Sequence, residues 1–334
     1  MNEAADFCGE QKIIPKTLLT LIAAVGLIAT AVAHWAPPVL APPLERNGYG
    51  RAGVELGSRA YPREAIDADG FPVRIAKPPR RIASQYWSID EYLYSLVPPE
   101  RVVAVSQSAY LDGISNVLEQ VTKFKPVIAT DPERVLRANP DLIIVSSSSR
   151  NDFTSLIRSS GIPIYRMFID FTTLSQIEDY IRLVGYLTGE DDHAEEIAAQ
   201  FHAEIEHAKS LRRPNARSPR VLAISGGYTY GSGTLFNDIV HTIGAVNPAA
   251  EAGLKGYQMV NAEQIARWNP DWIVAGANTG QLDQTRQRIL ADPGVTLTEA
   301  GRSGHVLVLE NRDFLPMSPY TAKRMTMMAE AFAK

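Results

Sequence analysis

Aromatic and arginine side chains gather where the strands of this chain are expected to end. Tyr86 and Trp87 follow the first such strand, and Tyr110 follows the second. Serines 147–149 and Arg150 follow the third, while Tyr165, Arg166 and Phe168 lie on or after the fourth. In the second half, the stretch SGGYTYGSG offers Tyr228 and Tyr230, and Arg312, Asp313 and Phe314 follow the last strand. Aromatic faces suit a large, flat or apolar ligand, and guanidinium groups suit an anionic one. Core packing is the competing reading for any single aromatic. It is a poor reading for all of them, because they cluster at strand ends rather than alternating along strands.

Other chemistries find less support. The six histidines are His34, His193, His202, His207, His241 and His305. No expected strand end carries the several histidines and carboxylates that a bare zinc or manganese ion needs. No protein-bound metal and no cofactor are therefore expected, and any iron arrives already chelated. The glycine-rich GGYTYGSG could cradle a phosphate at a helix start. It lacks the Lys-Ser/Thr of a P-loop, the spacing of a dinucleotide fingerprint and the Gly-x-Ser-x-Gly elbow of a hydrolase. No Ser, His and acid set meets at strand ends, so an enzyme is not expected.

The elements that must position these side chains alternate. RIAS (81–84), RVVAVS (101–106), DLIIVSSS (141–148) and IPIYRMF (162–168) read as strands with helices between them. A hairpin with a turn at Asp69-Gly70 precedes them. Ser88 and Glu91 have capping-box spacing and are expected to open a helix. A long helical segment follows, broken near Thr188-Gly189-Glu190. Its uninterrupted part, 191–211, would reach about 30 Å at the α-helical rise. The alternation then restarts with RVLAIS (220–225), DWIVAG (271–276) and HVLVLE (305–310). The expected fold class is α/β: two similar lobes, each with a mostly parallel central sheet and flanking helices, bridged by one long rigid α-helix. The expected boundaries are 61–171 for the first lobe, 172–212 for the connecting segment and 213–334 for the second lobe.

A repeat supports the two lobes. PERVLRANPDLIIV (132–145) is nearly reproduced in AEQIARWNPDWIVA (262–275). Both copies carry Glu in second place (Glu133, Glu263), then Arg, then Asn-Pro-Asp leading into an apolar run. Proline ends the short helix. The glutamates fall in the first helical turn, where the helix dipole favours a carboxylate. The alternative is functional: two matched carboxylates, one per lobe, ready to pair with basic groups on a symmetric partner.

Here the sequence resembles the substrate-binding proteins of ABC importers for iron complexes and cobalamin. The resemblance spans residues 61–334. It rests on IDADGFPVRIAKPPRRIAS, ERVVAVS, the paired ERVLRANPDLII and EQIARWNPDWIV, RLVGYLTGEDDHAEEI, and ILADPGVTLTEAGRSGHVLVLE. It implies a ligand cleft between the lobes. It also implies docking of Glu133 and Glu263 on arginines of a dimeric permease that works with ATPase subunits, one lobe per permease subunit. Tyr257, six residues before Glu263, matches a position that is aromatic and ligand-lining in such proteins. Pro98-Pro99 departs from the family pattern, where a glycine usually precedes the second strand. The segment between Tyr110 and Glu133 is hard to register. The expected cargo is a ferric siderophore first, with haem and a corrinoid next. A binding or sensor module independent of a transporter is a further alternative.

The bulk properties agree with an exported binding protein acting as a monomer. The chain has 334 residues, about 45% of them hydrophobic, and a net charge of −4. That charge gives no reason to expect nucleic acid as partner. The single cysteine, Cys8, permits no intramolecular disulfide. Residues 17–33 are uncharged, follow Lys12 and Lys16, and end in Ala31-Val32-Ala33, which suits a cleavable export signal over 1–36. Glu3, Asp6 and Glu10 are unusual for such a signal, and an uncleaved anchor is the alternative. Residues 37–60, rich in Pro, Gly and Arg, read as a flexible linker. The expected location is the periplasm.

Overall fold

The computed structural model describes residues 56–212 and 217–333. The expected export signal and residues 37–55 of the expected linker lie outside the described residues. Among those described, no helix is long and apolar enough to cross a membrane.

The chain begins with a two-stranded antiparallel hairpin, β1 (Arg63–Ile66) and β2 (Pro72–Ile75). Its turn is built by Asp67, whose Oδ1 accepts the backbone N–H groups of Asp69 and Phe71, both at 2.9 Å. Gly70 takes the left-handed conformation that the turn needs, with φ 85°. Arg158 fixes the hairpin to the first lobe through Asp67 at 2.7 Å.

That lobe runs β3 (Ile82–Ser84), α1 (Trp87–Leu96), β4 (Val102–Val105), α2 (Leu118–Phe124), β5 (Val127–Ile128), α3 (Pro132–Arg137), β6 (Leu142–Ser146), α4 (Asn151–Ser159) and β7 (Ile164–Met167). The strands form one parallel sheet in the order β5-β4-β3-β6-β7. All five residues of β6 are buried, as a strand covered by helices on both faces requires. Strand order reverses beside β3, so the loops after β3 and β6 flank the crevice where open α/β sheets take ligands. Tyr86 and serines 147–149 lie in those loops, and Trp87 opens the helix after β3.

The bridge has two helices where the sequence reading has one long one. α5 (Leu174–Thr188) starts on a capping box of Thr173 and Gln176 and ends at Gly189, which has φ 83°. The chain then reverses into α6 (Asp191–Ser210), the 20-residue helix expected from the sequence. α6 buries Ala194, Ala198, Phe201, Ile205 and Ala208, a stripe at helical spacing. The two helices pack closely: a Cβ added to Gly185 would lie 2.3 Å from that of Ala194. The start of α5 is held by the second lobe, where Asp238 accepts the N–H of Leu174 at 2.8 Å. The far end is held by the first lobe, through Arg101 to Glu190 and to the Thr188 carbonyl.

The second lobe runs β8 (Val221–Ala223), β9 (Tyr228–Tyr230), α7 (Leu235–Thr242), β10 (Tyr257–Met259), α8 (Ala262–Trp268), β11 (Trp272–Ala277), α9 (Leu282–Leu290), β12 (Val306–Glu310), α10 (Asn311–Phe314) and α11 (Thr321–Phe332). Its parallel sheet has three strands, β12-β11-β8, against five in the first lobe. The glycine-rich stretch contains β9. It pairs antiparallel with β10 and sets Tyr230 opposite Tyr257.

Both copies of the repeat adopt one structure. Asn139 and Asn269 each end their helix in the left-handed conformation, with φ 51° and 43°. The aspartate that follows caps the start of the neighbouring strand. Asp141 accepts the backbone N–H groups of Arg80 and Arg81, and Asp271 accepts that of Arg220. The Asn-Pro-Asp triplet therefore ends a helix and satisfies the first donors of β3 or β8 in one step.

Candidate functional site

Tyr86 and Trp87 open α1 at the carboxyl end of β3, with ring centroids 5.9 Å apart. From the other lobe come Tyr230 and Tyr257, edge to face at 5.1 Å. Tyr257 lies within electrostatic reach of Tyr86, and Asp170 acts on both phenols. Burial is the main cause that raises the phenol pKa values of Tyr86 and Tyr230, and it pushes Tyr257 up to about 12. All three are neutral donors at physiological pH. Gln85 Oε1 and Ser88 Oγ, on either side of the Tyr86–Trp87 pair, are buried with no hydrogen-bond partner among the described residues.

The other expected site residues are placed differently. Tyr228 stands on β9 and is 47% exposed. Phe168 is half-buried against the core. Tyr110 ends a 3-10 turn, and its hydroxyl donates to the Pro126 carbonyl at 2.9 Å. Arg150 is exposed and paired with Asp152. Arg166 is buried in β7: it pairs with Asp69 at 2.6 Å and donates to the carbonyls of Ser147 and Ser149. It supports the loop after β6 rather than facing a ligand. Tyr165 is buried too, and its hydroxyl donates to the Ile66 carbonyl at 3.2 Å. Phe314 is 2% exposed and meets Tyr230 edge-on at 6.0 Å. It is the packing layer under the tyrosine pair, not a lining residue. Position at a strand end had suggested lining for Arg166 and Phe314; side-chain direction places both inside.

Arg312 belongs to a contact between the lobes. Its guanidinium pairs with Glu310 and lies 4.0 Å from Asp112 of the first lobe. Its N–H donates to the Gly113 carbonyl at 2.7 Å, and its carbonyl accepts from Asn116 Nδ2 at 2.6 Å. Gly113, with φ 72°, sits so near Thr279 that an added Cβ would be 2.4 Å from Thr279 Oγ1. The segment after Tyr110 that resisted registration is thus the one that touches the second lobe.

Glu91 joins this contact and corrects the capping-box reading. α1 begins at Trp87 with no side-chain cap, and Ser88 lies inside the helix. Glu91 accepts from Asn116 Nδ2 at 2.8 Å and from Ser318 Oγ, across the lobes, at 2.5 Å. Its neighbour Asp90 accepts from the Ser106 hydroxyl at 2.5 Å. Burial pushes both carboxyls up to about 7, against the hydrogen bonds that lower them. None of these partners was marked by sequence spacing.

The repeat glutamates are both exposed, in the first turns of α3 and α8. Both helices start on the side of the sheets where strands end, which is the side of the cleft rim. Glu263 pairs with Arg267 at 2.6 Å, and both side chains remain mostly exposed. Such a pair is weak and easily exchanged. Elsewhere, surface depressions of about 220 and 270 Å3 lie beside the α5–α6 reversal and beneath the hairpin. Among the described residues, no three His, Cys, Asp or Glu side chains stand together to hold a metal ion.

Residues 82–312 match the family model described as periplasmic binding protein. The chain is 26% identical to a cobalamin-binding protein of Halobacterium salinarum over 278 residues, covering 82% of this chain and 74% of that protein. It is also 26% identical over 226 residues to an uncharacterized ABC transporter substrate-binding lipoprotein of Bacillus subtilis, YvrC, covering 65% and 70%. The solved periplasmic heme-binding protein RhuT from Roseiflexus sp. RS-1, in apo form, superposes with a TM-score of 0.66. It is 27% identical, over 76% of this chain and 98% of that one. Matched lobes around an aromatic floor and a family match across both lobes lead to one assignment. The chain belongs to the periplasmic binding protein family.

Proposed function

We propose that this protein captures a corrinoid, a cobalamin-type metal macrocycle, between Tyr86 and Trp87 of one lobe and Tyr230 and Tyr257 of the other, and hands it to its permease through Glu133 and Glu263. What supports this is an aromatic pair in each lobe: Tyr86 and Trp87 with centroids 5.9 Å apart at the end of β3, and Tyr230 and Tyr257 edge to face at 5.1 Å on the β9–β10 ribbon. Flat aromatic faces from both sides suit a macrocycle, and Tyr228 extends the floor. The similarity to a cobalamin-binding protein supports the same cargo.

Haem is the second reading, favoured by the likeness to a haem-binding structure. It asks for a protein donor to iron, such as a phenolate. Burial raises the phenols of Tyr86, Tyr230 and Tyr257, which works against a phenolate before iron arrives. A corrinoid asks for no protein donor. A ferric siderophore, the first expectation from sequence, has less to hold it. Many such complexes carry several negative charges, yet Arg150, Arg166 and Arg312 are all engaged with carboxylates.

The test is an equilibrium titration of the purified protein, followed by quenching of its aromatic fluorescence, with cyanocobalamin, haem and ferric hydroxamate and catecholate siderophores. Saturation by cyanocobalamin at micromolar concentration or below is expected. Tyr257→Ala should weaken it by about 10- to 100-fold, the scale of a well-packed aromatic contact. Saturation by a siderophore alone would overturn the reading.

A further inference from the structure

Among the described residues, three arginines are buried: Arg63, Arg166 and Arg324. Arg63 pairs with Asp191 at 2.7 Å, and Arg166 with Asp69 at 2.6 Å. Arg324, on α11 and 5% exposed, has no carboxylate partner among the described residues. Its Nη1 donates to the carbonyl of Phe314, the last residue of α10. Its Nε and Nη2 are buried with no hydrogen-bond partner among the described residues. A buried cation with unsatisfied donors is costly, and proteins rarely keep one without a use.

The surroundings indicate the use. Phe314, to which Arg324 is bonded, packs edge-on against Tyr230, and Tyr230 packs against Tyr257. The charged or titratable groups that act on Arg324 are these two phenols. Through Phe314 the guanidinium is joined to the tyrosine pair. Desolvation lowers its pKa to about 10, so it stays cationic at neutral pH. Tyr257 is 46% exposed, and all three residues of β10 are exposed, so this edge of the tyrosine pair is open to solvent. Helix packing explains Nη1, which holds the negative end of α10. It leaves Nε and Nη2 unexplained.

We propose that Arg324 is an oxyanion anchor of the cleft, taking one phosphate or carboxylate group of the cargo through Nε and Nη2 as the Tyr257 ring turns aside. This rests on the reading of the cleft as a macrocycle site and names the group that fixes the macrocycle's orientation. One buried cation matches one negative charge. Nε and one Nη of a guanidinium offer the parallel pair of N–H groups that binds an oxyanion bidentately. For a corrinoid the group is the phosphodiester of the nucleotide loop; for haem it is a propionate.

The test uses two probe pairs: cyanocobalamin with dicyanocobinamide, which lacks the phosphodiester, and haem with its dimethyl ester. Wild type should bind the anionic member of its cargo pair at least about tenfold more tightly, the scale of a charged hydrogen bond. Arg324→Met should lose that preference while binding the neutral member as wild type does. Its melting temperature should hold or rise, since an unpaired buried cation is replaced by an apolar chain of similar length. Arg324→Lys, which keeps the charge without the fork, should retain part of the preference. Equal binding of anionic and neutral members by wild type would overturn the anchor without any variant. So would equal loss of both members in Arg324→Met, the mark of a merely structural role. Failure of wild type to bind any of the four would overturn the macrocycle reading and the anchor with it.

Discussion

Replacing Glu133 and Glu263 together with arginine is expected to abolish cargo uptake while leaving cargo binding within about twofold of wild type. Both glutamates are exposed, both open short helices, and neither supports the fold around it. Their helices are capped by Asp131 and Asn261, which the substitutions leave in place. Reversal turns two attractions for basic groups on a permease into two repulsions. Each charge-paired contact at an interface contributes on the order of 1.5 kcal/mol or more, so two reversals cost well over 100-fold in docking. Cells carrying the double variant as their sole copy, measured for uptake of labelled cargo, should match cells lacking the protein. Each single reversal should fall between. Unimpaired uptake would remove the docking role.

Glu91→Gln is expected to raise the melting temperature at pH 8 by about 5 °C and to leave it nearly unchanged at pH 5. Glu91 is buried between the lobes with Ser318 and Asn116 as partners and, among the described residues, no cation beside it. Beyond burial, the neighbouring Asp90 carboxyl opposes its ionisation. The sign follows from the shift. A carboxyl raised from 4.5 to about 7 holds its proton more tightly folded than unfolded. Its contribution to stability is full below about 4.5, declines as pH rises to about 7, and is lost above. Asp90, raised from 3.8 to about 7, adds a decline over a similar window. A neutral amide at 91 keeps the shape and removes one of the two slopes. Thermal melts of both proteins between pH 5 and pH 8 would show it. A Glu91→Gln protein with wild-type pH dependence would show that Glu91 does not titrate in this window.

Much of the architecture was legible in the sequence because it is written locally. Apolar, β-branched runs separated by helical periods announce parallel strands, and the Glu-to-Asn-Pro-Asp repeat announces two equivalent lobes. Asp141 and Asp271 show what the repeat does, since each accepts the backbone N–H just before the neighbouring strand, β3 or β8. The turn within the bridge was signalled by Gly189, but that α5 and α6 lie side by side depends on the Gly185–Ala194 contact.

The site was legible only in part, for reasons of distance and direction. Tyr86 and Tyr257 follow from strand-end position and family pattern. Arg166 and Phe314 occupy the same kind of position yet point inward, and period alone cannot tell a cleft-facing residue from one a half-turn away. Ser88 and Glu91 have capping-box spacing, but Glu91 bonds instead to Ser318, 227 positions along the chain. Arg324 carries no local signal at all. It sits on an amphipathic terminal helix, and only the absence of a carboxylate beside it sets it apart.

The most direct test of the cleft assignment is anomalous scattering at the cobalt edge from crystals grown with cyanocobalamin. A single cobalt peak between Tyr86 and Tyr257, with the corrin plane against their rings, is the expected result. A peak in the depression under the hairpin, or ordered protein with no cobalt in the cleft at saturating ligand, would contradict it.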